Sequence, residues 1–273
     1  MALRRRSAIL TIMTLLSLGS GSSGNAYYIQ HNDFGLLVDA GVGIRAFKQR
    51  MQDYGFSPQT IKAILLTHDH LDHTRAVGPI SQKLKIPVYA LDKVHEGIRQ
   101  NPVIKRKVPS EQAVCVKCQE KTSVGPFEVT SFKVPHDSSD CCGYLIEFEN
   151  VKLCIATDVG HITPDVENAL KQATHVIIES NYDPQMLREG NYPEYLKERI
   201  FGPNGHLSNE ECGRLLRAHV NPNVKSIWLC HLSENNNTHV RALNAVNKAL
   251  EDLQLCCTPQ ALNRREPTGP FKL

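Results

Sequence analysis

The segment Thr67-His68-Asp69-His70-Leu71-Asp72-His73 directly follows the apolar, strand-like run Ala63 to Leu66. It contains three imidazoles and two carboxylates within six residues, too many polar groups to be buried in a core without partners. Imidazole and carboxylate are also the ligands that suit Zn²⁺ and similar divalent ions. The segment therefore predicts a metal-binding loop at a strand end, in which the first two histidines reach one ion and Asp72 with His73 reaches a second.

The composition is that of an ordinary globular protein, because 41% of the 273 residues are hydrophobic and 22% are charged. The formal net charge is only +3, so a surface that binds nucleic acid would have to be local. One Trp, eight Tyr and eight Phe leave little aromatic surface on which single strands can stack. Composition alone therefore identifies no partner.

The nine cysteines include the adjacent pairs Cys141–Cys142 and Cys256–Cys257, a pattern that does not resemble a disulfide framework. Reduced thiols in a cytoplasmic enzyme are the simpler interpretation. Cys115 and Cys118 form a lone C-x-x-C without a second pair at zinc-finger spacing, so a metal or redox role is not favoured for them.

The N-terminus supports two interpretations. Arg4 to Arg6, followed by the apolar run Ala8 to Leu18, imitates a secretory signal. The competing prediction is a strand from Met13 to Leu18 that enters a Gly/Ser turn and returns as strand Ala26 to Gln30. We favour the strand, because cleavage near Ala26 would remove an element that the fold needs. No other apolar run approaches the ~20 residues of a membrane span, so we expect no membrane association.

Along the rest of the chain, short apolar runs alternate with amphipathic stretches. Thr163 and Pro164 have the residue types of an N-cap and a first helical position, and Ser208 with Glu211 forms a capping box. The predicted strands are 36–41, 63–67, 88–90, 127–134, 143–149, 151–156, 176–178 and 226–230, and the predicted helices include 44–54, 74–84, 184–189, 193–200 and 239–250.

No low-complexity linker or short repeat divides the chain. The alternation of strands and helices predicts one α/β domain over residues 1–273, with two sheets and helices outside them. The predicted core extends from about residue 13 to about residue 255, and we expect segments 1–12 and 256–273 to be peripheral.

The H-x-H-x-D-H segment after an apolar strand resembles the signature of the metallo-β-lactamase superfamily. This resemblance implies an αββα four-layer sandwich and further ligands in later motifs. His136, Asp158 and His231 match those motifs, and each follows an apolar strand-like run, which is support from the pattern alone. The resemblance implies two ligand sets with one shared aspartate, His68, His70, His136 and Asp158 for one metal and Asp72, His73, Asp158 and His231 for the other.

Taken singly, Asp158 fits a turn and His231 a buried histidine, but all the motifs occur in register. The other histidines lack such positions and are interpreted as structural or surface residues, with His161 as the first exception to consider because it closely follows Asp158. These other histidines are His31, His95, His161, His175, His219 and His239.

The implied cofactors are two divalent ions, with Zn²⁺ favoured and Mn²⁺ as the alternative. Two such ions lower the pKa of a bridging water, so that a metal-bound hydroxide is available near neutral pH. They also stabilise charge that develops in the transition state. Asp72 is the candidate residue for orienting or deprotonating that water.

The chain is also similar to the bacterial YycJ/WalJ family over roughly residues 13 to 255. The resemblance implies a 5′→3′ exodeoxyribonuclease that hydrolyses phosphodiester bonds, with DNA favoured over RNA as substrate. The motifs that carry it are Gly19-Ser20-Gly21-Ser22-Ser23-Gly24-Asn25, Leu37-Val38-Asp39-Ala40-Gly41, Glu179-Ser180-Asn181, the 186–193 stretch and Gly205-His206-Leu207-Ser208-Asn209.

Within these motifs, His206 is predicted to donate to a phosphate oxygen or to protonate the leaving group, and Glu179 to orient it. A histidine that only takes part in a helix cap is the alternative. The predicted substrate-binding residues are Ser22, Ser23, Asn25 and Asn181, although a plain hairpin turn explains the first three nearly as well. Arg188, Lys197 and Arg199 supply local positive charge, or simply a solvated helix face.

Other functions remain open at this point. Only 73 residues separate Asp158 from His231, too few for the accessory domain of the RNase J class, and no exosite arm of the RNase Z kind is evident. The fold also hosts hydrolases of small thioesters, lactones and β-lactams. A non-catalytic scaffold is a third alternative, which the complete ligand set disfavours.

Overall fold

Two seven-stranded β-sheets form the inner layers of the computed structural model, which describes residues 12–273. In spatial order, the first sheet contains β14 (Thr268–Lys272), β1 (Met13–Gly19), β2 (Ala26–His31), β3 (Phe34–Val38), β4 (Ile61–Leu65), β5 (Val88–Ala90) and β6 (Ala113–Cys115). The second contains β13 (Gln260–Ala261), β12 (Ser226–Cys230), β11 (His175–Glu179), β10 (Val151–Ala156), β9 (Cys142–Phe148), β8 (Phe127–Lys133) and β7 (Lys121–Val124).

The described residues also form nine α-helices. They are α1 (Ile44–Asp53), α2 (Leu71–Thr74), α3 (Val77–Leu84), α4 (Asp92–Gln100), α5 (Pro164–Gln172), α6 (Pro184–Glu189), α7 (Glu194–Phe201), α8 (Asn209–His219) and α9 (His239–Leu250). None of the described helices is long and apolar enough to cross a membrane.

The alternation of side-chain direction along the strands explains why each sheet is covered on both faces. Side chains of successive strand residues point to opposite faces, so Ile155 and Ile177 pack with the first sheet while Cys154 and Val176 pack with helices α5, α8 and α9. Helices α1, α3 and α4 cover the other face of the first sheet through residues such as Phe47. The predicted αββα arrangement is confirmed.

The strand interpretation of the N-terminal segment is confirmed for the described residues. β1 and β2 pair in antiparallel orientation, with Leu15 opposite Ile29, and their centres are fully buried. The competing signal-like interpretation also rests on Arg4 to Arg6 and Ala8, which lie outside the described residues.

The predicted core that ends near residue 255 requires a correction. Segment 256–273 adds an edge strand to each sheet, since β14 pairs with β1 and β13 pairs with β12. The ring of Phe271 packs 4.8 Å from that of Trp228, centroid to centroid. The tail carries too few apolar residues for a strand pattern, so its order depends on tertiary pairing that local sequence does not encode.

Smaller differences have similar causes. The helix predicted over 74–84 is divided into α2 and α3, because the backbone leaves helical geometry at Ala76. Strands β6 and β7 and helix α4 are absent from the predictions. The two strands have only three and four residues, too short for a period to be visible.

The sheet topology brings the candidate ligands to one edge of the fold. Strands β10, β11 and β12 are mutually parallel, so their carboxyl ends lie side by side. Asp158, Glu179 and His231 lie at those ends. In the first sheet, β3 and β4 are parallel as well, and the loop that holds the H-x-H-x-D-H segment follows β4.

Gly41 allows the loop after β3 to pack directly on the metal-binding loop. Its N–H donates to the Asn25 carbonyl, and the Asn25 N–H donates to the Asp72 carbonyl. A Cβ atom at Gly41 would lie 1.5 Å from the Asp72 carbonyl oxygen, whereas one at Gly43 would meet nothing within 4 Å. Gly41 is therefore required by close approach of two backbones.

We expect Gly41→Ala to lower the free energy of unfolding by about 3 kcal/mol, the upper end of the usual cost of overpacking, because backbone has to move. Gly43→Ala is the matched control and is expected to change it by less than about 1 kcal/mol. Urea titration followed by circular dichroism measures both. Equal stability of the two variants would contradict the close packing described here.

Candidate metal centre

The seven predicted ligands come together from four separate strand ends. Groups of ligand atoms that lie within 4.8 Å of one another overlap through shared residues. These groups are His68, His70 and His136; His68, His73 and Asp158; Asp72, His73 and His231; and Asp158, Glu179, His206 and His231. The first three contain every residue predicted as a ligand.

Asp158 lies at the middle of this cluster and is almost fully buried. One of its oxygens, Oδ2, lies 3.2 Å from His73 Nε2. The other, Oδ1, lies 3.2 Å from His231 Nδ1 and 3.6 Å from His136 Nε2. The two carboxylate oxygens therefore face imidazoles of both predicted ligand sets, as a shared ligand requires.

The Nδ1 ring nitrogens of four ligand histidines are held by the protein. Nδ1 of His68 lies 3.0 Å from the Thr67 hydroxyl, and Nδ1 of His136 lies 3.0 Å from the Gly205 carbonyl oxygen. The other two Nδ1 atoms lie close to carboxylates. Nδ1 of His73 lies 2.8 Å from Asp39 Oδ2, and Nδ1 of His231 lies 2.9 Å from Glu179 Oε1.

Such partners fix the ring orientation and leave Nε2 to face the cluster. Nε2 of His68, His136 and His231 is buried and has no hydrogen-bond partner among the described residues. A buried nitrogen without a partner costs about 1–3 kcal/mol. Divalent cations bound between these nitrogens and the carboxylates would supply the missing partners, so the residues fit the group that the motif implies.

His70 is arranged differently from the other four ligand histidines. Its Nε2 lies 3.2 Å from the Asp137 carbonyl oxygen, which leaves Nδ1 for the cluster. Its side chain is 32% exposed, whereas that of His136 is 1% exposed. His70 therefore lies at the open side of the site.

The pKa shifts indicate which ligand residues are neutral and which are charged. Burial lowers the pKa of His68 well below its usual range, and the neighbouring His73 adds to this. Burial also lowers the pKa of His136. Both rings are thus held in the neutral form that binds metals. Burial opposes ionisation of Asp158 too, but His231 and His73 outweigh it and hold its pKa well below the ordinary value.

Three residues of the site adopt left-handed backbone conformations. The φ angles of Asp39, Asp158 and His231 are 59°, 56° and 52°. Residues with a Cβ rarely adopt such angles, and the conformation costs of order 1–3 kcal/mol. Each of the three directly follows a strand or lies two residues after one. The turn redirects its side chain towards the cluster.

Glu179 is a fully buried carboxylate, and each of its two oxygens accepts two hydrogen bonds. Oε1 accepts from the Nδ1 atoms of His206 and His231 at 2.8 and 2.9 Å. Oε2 accepts from the backbone N–H groups of Val159 and Leu207 at 2.7 and 3.0 Å. Because both oxygens are occupied, Glu179 positions its neighbours and is not needed as a metal ligand.

His206 projects into the cluster from the loop before α8. Its Nδ1 lies 3.7 Å from Asp158 Oδ1, and its side chain is 14% exposed. Apart from its contacts with Glu179 and Asp158, its ring makes no polar contact among the described residues, so Nε2 is available. The cap of α8 is formed by Ser208, whose side chain accepts from Glu211 N–H. His206 is therefore not the capping residue.

The predicted substrate-binding residues occupy different environments. Ser22 and Ser23 are exposed at the tip of the β1–β2 turn. Asn25 is fully buried, and its Nδ2 lies 2.9 Å from His73 Nε2. Asn181 is also buried, and its Nδ2 donates to the His231 carbonyl at 2.7 Å. Asn25 and Asn181 thus contact ligand residues, whereas the two serines are accessible from solvent.

Among the predicted cations, Arg199 lies beside the site. Its guanidinium forms a two-pronged ion pair with Asp137, the residue after His136, and one prong is 2.9 Å long. Arg188 packs over the Phe201 ring, and Lys197 donates to the Arg188 carbonyl. The latter two therefore stabilise the α6–α7 region.

Two other predictions concern residues outside the cluster. His161 is exposed, and its Nδ1 donates to the Pro203 carbonyl at 2.7 Å. The exposed Cys115 lies 3.6 Å from Asp92 through its Sγ atom, and burial raises the pKa of the Cys118 thiol. None of these three belongs to a group with metal-ligand spacing among residues 12–273.

A model of the beta-lactamase superfamily domain matches residues 35–231, the span that contains all seven predicted ligands. Exodeoxyribonuclease YycJ of Bacillus anthracis is 32% identical over 235 residues, which cover 86% of this chain and 88% of that protein. Exodeoxyribonuclease WalJ of Streptococcus pneumoniae is 31% identical over 236 residues, or 85% of this chain and 87% of that protein. The chain belongs to the beta-lactamase superfamily and, within it, to the YycJ/WalJ family.

The fold of the superfamily is also evident in solved structures. The metallo-beta-lactamase fold protein YhfI from Bacillus subtilis superposes with a TM-score of 0.72 at 16% identity, covering 96% of this chain and 100% of that protein. The predicted family resemblance is confirmed. The chain is a metal-dependent hydrolase with His and Asp clusters suited to divalent ions.

Asp39 is the main site residue that sequence reasoning did not assign. Besides holding His73, its carboxylate accepts from the backbone N–H and the hydroxyl of Thr67. It directly follows strand β3, the same strand-end position that identified the ligands. That signal could have found it. The Asp137–Arg199 pair had no such signal, because its partners are 62 residues apart.

We expect Asp39→Asn to weaken binding of the metal by about 10–100-fold, because an amide holds the His73 ring less firmly than a carboxylate. Competition with a chelating dye measures the affinity. Asp33→Asn, at an exposed position of the β2–β3 turn, is the control and should bind metal as the wild type does. Unchanged affinity in a folded Asp39→Asn protein would show that Asp39 does not support the centre.

Proposed function

We propose that the protein is a binuclear metal-dependent exodeoxyribonuclease that hydrolyses DNA in the 5′→3′ direction. The observation that carries the proposal is the His206–Glu179 pair, which adds a proton donor next to a complete ligand cluster. The similarity to two exodeoxyribonucleases over most of both chains supports the choice of DNA. The polarity follows from the resemblance to the YycJ/WalJ family.

In this proposal, His68, His70, His136 and Asp158 hold one cation, and Asp72, His73, Asp158 and His231 hold the other. Ligands of imidazole and carboxylate type support Zn²⁺, with Mn²⁺ as the alternative. When bound, such a pair makes an activated water available at neutral pH and offsets charge in the transition state.

Asp72 is suited to orient the attacking water. Its side chain is 22% exposed, the most accessible carboxylate of the cluster, and its Oδ2 lies 3.6 Å from His231 Nε2. The other oxygen of the Asp72 carboxylate can accept a hydrogen bond from water while Oδ2 faces the ligand residues. Asp72 would thereby direct a lone pair of the water towards phosphorus.

His206 is suited to protonate the leaving oxygen. Glu179 accepts the Nδ1–H and stabilises the imidazolium, so the proton carried on Nε2 faces the site. The two backbone N–H groups on Oε2 keep the Glu179 carboxylate oriented while that proton moves. Transfer of the Nε2 proton to the leaving oxygen yields a neutral ring, which bulk water can protonate again.

Arg199 and the β1–β2 turn are suited to bind the substrate backbone. The Arg199 side chain is 48% exposed, and its ion pair with Asp137 leaves further N–H groups for a phosphate. The exposed Ser22 and Ser23 lie on the turn that also holds Asn25 at the cluster. We also propose a cytoplasmic location, which the nine free cysteines support.

The function is tested with one set of end-labelled substrates. Single- and double-stranded DNA and RNA, each with 5′-phosphate or 5′-hydroxyl ends, are incubated with Zn²⁺- or Mn²⁺-loaded protein beside a neutral thioester and a lactone. We expect stepwise release of nucleotides from the 5′ end of DNA, with binding that weakens as salt concentration rises. Turnover of the neutral esters with no action on any nucleic acid would overturn the proposal.

We expect His206→Ala to lower kcat about 10²–10⁴-fold, the usual contribution of a general acid, with metal content unchanged. His161→Ala is the matched control, because His161 is an exposed histidine whose Nδ1 also bonds to an oxygen of the protein. Steady-state kinetics and metal analysis are run on both variants. If His206→Ala retains full activity, the proton-donor role has to be abandoned.

We expect Arg199→Ala to raise KM for oligonucleotide about tenfold while kcat changes little, since a phosphate contact made equally in ground and transition states is lost. Arg214→Ala removes an exposed arginine that pairs with Glu211 on α8, at 3.8 Å, and serves as control. A fall in kcat alone, at constant KM, would place Arg199 in support of Asp137 and not at the substrate.

A further inference from the structure

A groove on the outer helical layer of the first sheet is not used by the proposed reaction. It lies between α1 and α3 and has a volume of about 570 Å³, the size of a ligand pocket. Phe47 and Ile80 form its floor and are 1% and 3% exposed, and the half-buried Leu84 forms part of its wall. None of the metal-ligand residues lines the groove.

The rim of the groove is positively charged. Lys48, Lys83 and Arg106 line it, and none of the residues that line it is acidic. These three cations form no ion pair with any residue of the described chain, unlike for example Arg199 and Arg265. An apolar floor under an unpaired basic rim is complementary to an occupant with an apolar group and several negative charges.

The remaining polar groups of the rim favour a peptide. The exposed side chains of Gln52 and Gln59 carry amide groups that can both donate to and accept from a peptide backbone. The phosphate groups of a nucleic acid can pair with the rim but cannot fill the apolar floor. Apolar side chains of a protein partner can enter such a cavity, and large anchors of this kind contribute most of the energy of many interfaces.

We propose that this groove docks an acidic segment of a partner protein, which inserts an apolar side chain between α1 and α3. Carboxylates of the segment pair with Lys48, Lys83 and Arg106, while Phe47 and Ile80 contact the inserted side chain. The interaction is independent of hydrolysis, because it uses no residue of the metal centre. It gives the enzyme a means of recruitment that is separate from its substrate.

Selection from a random peptide library tests the proposal with the full-length, metal-loaded protein. Binders are selected on the wild type and then compared on the double variant Lys83→Glu/Arg106→Glu by fluorescence anisotropy. Lys171→Glu/Lys248→Glu is the matched control, because it makes the same change in net charge at exposed positions of α5 and α9. Leu84→Ser tests the apolar wall.

We expect the selected peptides to be rich in Asp and Glu and to contain a large apolar residue. Their affinity should fall about tenfold or more in the rim variant, which corresponds to two lost surface ion pairs with like-charge repulsion added. It should also fall in Leu84→Ser and stay unchanged in the control. Thermal stability and hydrolytic activity of the rim variant should equal those of the wild type.

Three results would overturn the proposal. One is a selection that yields no binders, or binders that are neutral, basic or insensitive to the rim variant. Another is an oligonucleotide that binds in EDTA and loses affinity in the rim variant as peptides do, which would make the groove a nucleic-acid surface. The third is a dimer in light scattering that the rim variant dissociates, which would make a second copy of the chain the occupant.

Discussion

The structure depends on the burial of several histidine rings that the protein itself satisfies at one ring nitrogen only. Thr67, Asp39, Gly205 and Glu179 bind the Nδ1 nitrogens of four ligand histidines. Nε2 of His68, His136 and His231 is buried at the cluster and has no hydrogen-bond partner among the described residues. Divalent cations bound at these clusters would supply the missing partners, and their binding would then add to folding stability.

Holding this cluster requires local departures from ordinary backbone and packing geometry. Left-handed residues at strand ends turn Asp39, Asp158 and His231 inwards, and a glycine lets two loops touch. These conformations are unfavourable by themselves. They persist because parallel strands fix both ends of each loop, and the hydrogen bonds of Asp39 and Glu179 connect one loop to the next.

The sequence predicts the layered fold and the residues of the cluster because each signal is local. An apolar run predicts a strand, and a histidine or aspartate shortly after the run is a candidate ligand. Asp158, which follows the strand Val151–Ala156, is an example. Contacts between distant segments are not encoded in this way. The bonds from Asp39 to His73, from Glu179 to His231 and from Arg199 to Asp137 join residues 34 to 62 positions apart. The tail strands β13 and β14 escaped prediction for the same reason.

The pairing of β14 with β1 has a consequence for folding of the chain. Thr14 lies opposite Lys272, and Leu15 lies opposite Phe271, so one side of β1 finds its partner only 256 residues later in the chain. Until then, this strand presents unpaired backbone groups along a mostly apolar segment, and such an open edge can pair with another chain. A copy in which β1 and β14 have not yet paired can consequently join another copy through the open side of β1.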